Sequence, residues 1–334
     1  MSRRHCGSCC EVSRAISTWS RVPSREGTHR ETKASIMDTA RNLLRKIVHP
    51  YRQKAKATRL WEYTVFPVVY SLSSLRARAH SDLFSQITAY CLFVGHGRSG
   101  HSVVGALLDA HPDALIPDEL DTLRYLEAGF KKDQICEILL TRSARQAIRG
   151  RVKPGREGRE YCYYVPSQWQ GRFRNLRVVG DSQAGLSTRR LGKRPELLQQ
   201  LEQVMEIPIR IIHVLRNPFD NIATLMLRGK WTFDQGITRY FENCETIQSL
   251  RGRFPASGFL VLRHEDLIAD PKARLTDTCR FLGLEPDEDY LQACGSILFK
   301  SPSGSRGQVP WTNVLVHHVH EQIARFDFLH GYHY

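Results

Sequence analysis

Two short stretches carry the residue types and spacing that anion chemistry requires. The first is Gly95-His-Gly-Arg-Ser-Gly-His-Ser102. Its glycines let the backbone fold back and approach a bound oxyanion closely, and Arg98 and Ser102 add side-chain donors. The second, His213-Val-Leu-Arg-Asn-Pro-Phe-Asp220, runs on through Asn-Ile-Ala to Thr224. Pro218 suits the first turn of a helix, so Arg216 stands just ahead of that helix and Thr224 within it. The two side chains can grip one anion from two elements. A carboxylate pair, Asp118 and Glu119, offers a base for drawing a proton from a hydroxyl. The same pair also reads as ordinary acids at a helix start.

The first stretch has most of the nucleoside triphosphatase loop, G-x-x-x-x-G-K-[ST]. Gly95, Gly100 and Ser102 fit, but His101 stands where the lysine belongs. That lysine serves the β- and γ-phosphates, so its absence points to a nucleotide with a single 5′-phosphate group.

The elements that must position these residues follow from hydrophobic patterning. Ala89–Gly95 is a short apolar run ending in glycine, read as a buried strand, and a helix is expected over Ser99–Ala110. Further strands are expected at Ala114–Ile116, Leu176–Gly180, Ile209–Leu215 and Phe259–Leu262. Helices are expected over 119–129, 133–148, Pro195–Met205, 218–228, 232–250, Lys272–Leu282 and 312–325. Strands alternating with helices predict an α/β fold of the P-loop type, a parallel sheet with helices on both faces. Arg216 then lies at a strand's C-terminal end, where such sheets bind ligands.

Composition narrows the class. The chain has 334 residues and a formal net charge of +14. Residues 1–60 hold 14 Lys/Arg against 4 Asp/Glu, leaving about +4 for the remainder. The high charge thus belongs to a basic segment, residues 1–60, expected to be largely disordered, and not to a nucleic-acid-binding fold. The folded domain is expected over 85–334. The 9 cysteines are odd in number and scattered, so no disulfide framework is expected. The apolar run Leu60–Leu75 contains Glu62, Pro67 and three serines, too short and polar for a confident span. A cytoplasmic location is favoured; a Golgi signal anchor or mitochondrial targeting by the Arg/Ser-rich N-terminus stays open, as does membrane association. Residues 149–177 interleave basic side chains with Tyr161, Tyr163, Tyr164, Trp169 and Phe173. They read as an acceptor cleft, as a solvated insertion, or as a single-strand nucleic-acid groove.

Together the two motifs resemble those of the PAPS-dependent sulfotransferase superfamily, whose donor is 3′-phosphoadenosine 5′-phosphosulfate. Its 5′-phosphosulfate loop reads roughly [RK]-S-G-T-[TS], here Arg98-Ser-Gly-His-Ser102 followed by Leu-Leu-Asp-Ala-His-Pro112. Its 3′-phosphate motif, R-[ND]-P-x-D-x-x-x-S, is matched by Arg216, Asn217, Pro218 and Asp220, with Thr224 in the serine's place. Glu265-Asp266-Leu267, Asp270-Pro271 and Phe281-Leu-Gly-Leu284 come next, in the superfamily's usual order.

The resemblance implies a sulfotransferase that binds PAPS, releases PAP and needs no metal. Arg98, Ser99, Gly100, His101 and Ser102 are expected at the 5′-phosphosulfate, and Arg216 and Thr224 at the 3′-phosphate. Lys300 and Arg306, in a Ser/Gly loop that resembles the one closing over the donor, are expected to reach that phosphate too. The stretch from Arg98 to Glu119 resembles tyrosylprotein sulfotransferases, which implies Glu119 as the base, with Asp118, His96 and His101 as alternatives. The acceptor, a hydroxyl or amine, is not named by the sequence. Gly180-Asp-Ser-Gln183 lacks the lysine that some members place after the third strand, a role Lys193 could fill. Two rivals stand beside this reading, an ATP-dependent small-molecule kinase and a PAPS/PAP-binding pseudoenzyme.

Overall fold

The computed structural model describes residues 59–154, 160–229 and 231–334. The expectations for residues 1–58 lie outside the described residues. The chain divides into two units, Met1–Val69 and Tyr70–Tyr334. Helix α1 (Arg59–Arg78) runs across that boundary. Among the described residues no helix is long and apolar enough to cross a membrane.

In chain order, α2 (Ser81–Ser85) leads to β1 (Ala89–Gly95) and α3 (His101–Leu108). Next come β2 (Ala114–Leu115), α4 (Thr122–Glu127), α5 (Lys132–Ile148) and a hairpin of β3 (Val152–Pro154) and β4 (Glu160–Cys162). Then follow β5 (Val178–Asp181), α6 (Ala184–Lys193), α7 (Glu196–Met205), β6 (Ile209–Leu215), α8 (Pro218–Gly229) and α9 (Phe233–Arg251). The chain closes with β7 (Phe259–Arg263), α10 (His264–Ala269), α11 (Pro271–Phe281), α12 (Glu288–Ser296) and α13 (Asn313–Ile323).

Five strands form one sheet in the order β2-β5-β1-β6-β7. Every pairing in it is parallel. All seven residues of β1 are buried. Side chains alternate between sheet faces, so burial along the whole strand means that both faces are covered. Helices α6 and α9 pack on β1, α5 on β2 and β5, and α11 on β7. Gly180 is required where β5 meets β1, because a Cβ there would sit 2.4 Å from the Cys91 carbonyl oxygen. The parallel α/β architecture anticipated from the alternating pattern is therefore present.

The differences from the pattern have physical causes. The helix expected from 119 begins at Thr122, because Glu119 and Asp121 take φ of 46° and 66°, outside helical backbone. Helix α6 was invisible to hydrophobic periodicity. Its inner face consists of Ala184, Ser187, Thr188 and Leu191, two of them hydroxyl residues. Helix α12 was likewise missed, although Asp287 caps it by accepting from the Tyr290 N–H at 2.8 Å.

The basic aromatic segment 149–177 is anchored to α3 and the turn after it. Arg151 is buried against the Asp109 carboxylate. Gln170 Nε2 donates to the Ala106 carbonyl at 2.9 Å, and the Trp169 N–H to that of Ala110 at 3.1 Å.

Candidate active site

Parallel strands bring their C-terminal ends to one edge of the sheet. There β1 delivers the glycine loop, β2 Glu119, β5 Gln183, β6 Arg216 and β7 His264. These residues line one cavity of about 930 Å³. Its other walls come from α6, α8, α9, the β4 region and the loop ahead of α13. Among the described residues five arginines line it, Arg98, Arg189, Arg216, Arg228 and Arg239, against one carboxylate, Glu119. Such a lining favours an anionic ligand.

The loop after β1 owes its shape to backbone that side chains resist. Gly95, Arg98 and Gly100 take φ of 130°, 70° and 98°. At Gly100 a Cβ would lie 2.3 Å from the His264 ring, so glycine is required on two counts. The Gly95 N–H is held by Thr188 Oγ1 at 2.7 Å, and α6 starts so near the loop that a Cβ on Gly185 would meet the Gly97 nitrogen at 2.9 Å. Gly100 is the N-cap of α3, which leaves that helix's first N–H groups directed at the cavity end of the loop.

Arg216 ties the two motifs together. Its Nη1 donates to the Arg98 carbonyl at 3.2 Å and to Thr224 Oγ1 at 3.2 Å. Its Nη2 donates to the Ser303 carbonyl and, at 3.3 Å, to Ser305 Oγ. Thr224 Oγ1 in turn donates to Ser305 Oγ at 2.9 Å. Burial lowers the pKa of the Arg216 guanidinium, and the Asp220 and Glu265 carboxylates counter that loss. Glu265 also fixes the strand end by accepting from the Asn217 N–H at 2.8 Å and from the Tyr332 hydroxyl at 2.9 Å.

Glu119 projects from the turn after β2, and its side chain is 41% exposed. Ser102 Oγ donates to Glu119 Oε1 at 3.4 Å. His101 Nδ1 bonds the Ser182 carbonyl at 2.8 Å. A carbonyl only accepts, so Nδ1 carries the hydrogen there and Nε2, 3.9 Å from Glu119 Oε1, carries the lone pair in the neutral ring. The Glu119 turn is held by Asp181, which accepts from Leu120 N at 3.0 Å and Thr122 N at 2.7 Å. Arg142 adds a bond to the Glu119 carbonyl at 3.1 Å. Burial pushes the Asp181 carboxyl up to about 6.

Among the expected ligands, Arg98, Gly100, His101, Ser102, Arg216 and Thr224 line this cavity together with Glu119. Ser99 does not line it: the residue is fully buried, and its hydroxyl has no hydrogen-bond partner among the described residues. Two further expectations need correction. Lys300 is exposed and lies outside the lining. Arg306 is turned onto Asp220, donating from Nη2 to Oδ2 at 2.6 Å and from its backbone N–H to Oδ1 at 2.8 Å. A buried carboxylate and the His333 carbonyl, at 2.7 Å, hold it away from the cavity. From the same loop Ser301, Ser303, Ser305 and Gln308 line the cavity, and Ser303 and Ser305 meet Arg216 and Thr224, a role that Ser-x-Ser spacing alone does not signal. Of the candidate bases, Asp118 is outside the lining, whereas Glu119, His96 and His101 are in it. Tyr161 and Tyr163 are the members of the aromatic segment that reach the cavity, and Arg228 bonds the Tyr161 hydroxyl at 2.8 Å.

The profile of the sulfotransferase family matches residues 92–289, more than half of the chain. No curated relative matches the sequence. Among solved structures, the sulfotransferase domain of the Synechococcus PCC 7002 olefin synthase is 18% identical, with 69% of this chain and 83% of that one covered at a TM-score of 0.41. Sulfotransferase STF9 from Mycobacterium avium is 12% identical, with 76% and 81% covered at 0.44. Mouse SULT7A1, solved in complex with PAP, is 12% identical, with 70% and 72% covered at 0.34.

Proposed function

The chain belongs to the sulfotransferase family, and from that premise we propose that residues 85–334 transfer a sulfuryl group from PAPS to a hydroxyl or amine. One observation carries the choice of donor. The loop after β1 and the Arg216–Thr224 pair after β6 line the same arginine-rich cavity and are joined through the Arg216 bond to the Arg98 carbonyl. A nucleotide with phosphates at both ends of its ribose fits two separate anion grips. A triphosphate needs a lysine at the loop, and His101 instead turns to Ser182.

In this reading Arg98, Gly100, Ser102 and the α3 N-terminus hold the 5′-phosphosulfate, and Arg216 with Thr224 holds the 3′-phosphate. Glu119 takes the proton from the acceptor as its oxygen or nitrogen bonds to sulfur. The bond from sulfur to the phosphate oxygen breaks, and PAP leaves with that electron pair. Arg98 and Arg216 neutralise charge on the leaving group, and the fixed loop keeps attacking atom, sulfur and leaving oxygen in line. His101 Nε2 faces Glu119 and can share the proton it acquires.

The test is calorimetric titration of the purified full chain with PAP and with ATP, repeated on Arg216→Ala. PAP binding in the micromolar range, weak ATP binding and loss of PAP binding in the variant are expected. Tight magnesium-dependent ATP binding, or PAP binding indifferent to Arg216, would return the site to the kinase reading.

A further inference from the structure

The sheet order sorts the cavity into two sides. β5 and β2 lie on one side of β1, and β6 and β7 on the other. The proposed 3′-phosphate grip uses the end of β6 and the start of α8, whereas Glu119 comes after β2 and Gln183 after β5. Two further arginines in the cavity are not used by the donor grip. Arg189 of α6 and Arg239 of α9 both line the cavity, and the two helices pack together.

Among the described residues the charge of this pair is poorly matched. Arg189 is half-buried, and burial, then the neighbouring Arg239 charge, lowers its pKa. Its Nε donates to the Gly185 carbonyl at 3.3 Å. The carboxylate that acts on it, Asp121, is already engaged by Arg190 at 2.7 Å. Arg239 pairs with Glu242 at 3.4 Å, a contact between exposed groups on one helix that neutralises little. Two like charges on one cavity wall repel each other, and an anion between them reverses the sign of the interaction. The cavity lining also includes the Gln183 amide and the apolar Leu186, the latter on the same helix as Arg189.

We infer that Arg189 and Arg239 form an anion subsite for the acceptor, so that this enzyme sulfates a molecule already bearing a fixed negative charge such as a carboxylate. The subsite holds that charge while the accepting group faces Glu119. The inference rests on the reading of the cavity as a PAPS-dependent site, and Arg189 and Arg239 act in it as specificity residues.

The test uses two probes that differ only at C6, the carboxylate of 4-nitrophenyl β-D-glucuronide against the hydroxymethyl group of 4-nitrophenyl β-D-glucoside. Each is titrated into the PAP-saturated full chain. The glucuronide is expected to bind about tenfold or more tightly than the glucoside, as charge-assisted bonds imply. Arg189→Ala/Arg239→Ala should bring the two affinities together while leaving PAP affinity within about twofold, which also shows the variant to be folded. Arg189→Lys/Arg239→Lys should retain part of the preference. Equal or undetectable binding of both probes to the wild-type chain overturns the inference, as does a preference that survives the double substitution or a glucuronide that displaces PAP. If PAP itself fails to bind, the donor reading fails instead, and the same probe pair on the unliganded chain still reports on the arginines.

Discussion

Arg216 is where the donor reading is most exposed to refutation, and a two-by-two comparison isolates its role. The guanidinium is almost fully buried and places both terminal nitrogens at the junction of the β1 loop, Thr224 and the Ser303–Ser305 segment. Two charge-assisted bonds from it to a phosphate would contribute roughly 3–6 kcal/mol, or about 10²- to 10⁴-fold in affinity. Arg216→Ala also removes internal bonds, so a fall in PAP affinity alone is ambiguous. AMP separates the effects, because it shares adenosine and the 5′-phosphate with PAP but lacks the 3′-phosphate. The perturbation is therefore Arg216→Ala measured with both nucleotides by calorimetry. Wild type should prefer PAP over AMP by at least about 100-fold, and the variant should lose nearly all of that preference, a coupling of about 3 kcal/mol. Equal losses for PAP and AMP would show that Arg216 merely braces the loop, and the assignment of the 3′-phosphate to it would be wrong.

The same geometry sets three further outcomes. Glu119→Gln should lower kcat by about 10²- to 10⁴-fold with PAP affinity unchanged, measured as sulfuryl transfer from labelled PAPS to an identified acceptor; full turnover in the variant would remove Glu119 as the base. Gly100→Ala combines a φ of 98° with a Cβ 2.3 Å from the His264 ring and should cost about 1–3 kcal/mol in thermal unfolding. Adding His264→Ala should restore only the part due to the clash, leaving the backbone strain. Stability should also fall with acid. Burial, then Arg251, lowers His213 to about 3, and burial with His213 lowers His96. The unfolded chain therefore takes up protons first as pH drops below about 6.5, and each histidine removes up to about 1.4 kcal/mol per pH unit from there towards its folded value. Asp181 acts oppositely, because its raised folded pKa favours the fold as pH falls from about 6 towards 3.8. The loss between pH 6.5 and 6 is thus due to the histidines, and between 6 and 4 the aspartate offsets about one of them. His213→Leu should flatten the slope by close to one proton, and an unchanged slope in the pH dependence of Tm would refute the assignment.

What the sequence disclosed and what it hid divide along one physical line. Strand β6 was legible to the residue because Ile209–Leu215 is mostly apolar and β-branched, broken only by Arg210 and His213, and burial in a parallel sheet favours such segments. The glycine loop after β1 and the start of α8 were legible because a tight loop needs glycine and a helix start tolerates proline, constraints that act within a few neighbouring residues. Helix α6 was not legible, because Ser187 and Thr188 are buried and Thr188 spends its hydroxyl on the Gly95 N–H 93 positions away in sequence. The loop ahead of α13 shows the same limit at the site itself. Arg306 and Lys300 looked like the phosphate ligands because charge is what a local reading can see. Yet Arg306 is already matched by Asp220, 86 positions earlier, and the uncharged Ser303 and Ser305 meet Arg216 instead. Asp220 thereby acquires a job that a first-turn acid does not advertise: it ties the loop carrying both serines to the helix carrying Thr224, and so closes the wall of the site on its β6 side.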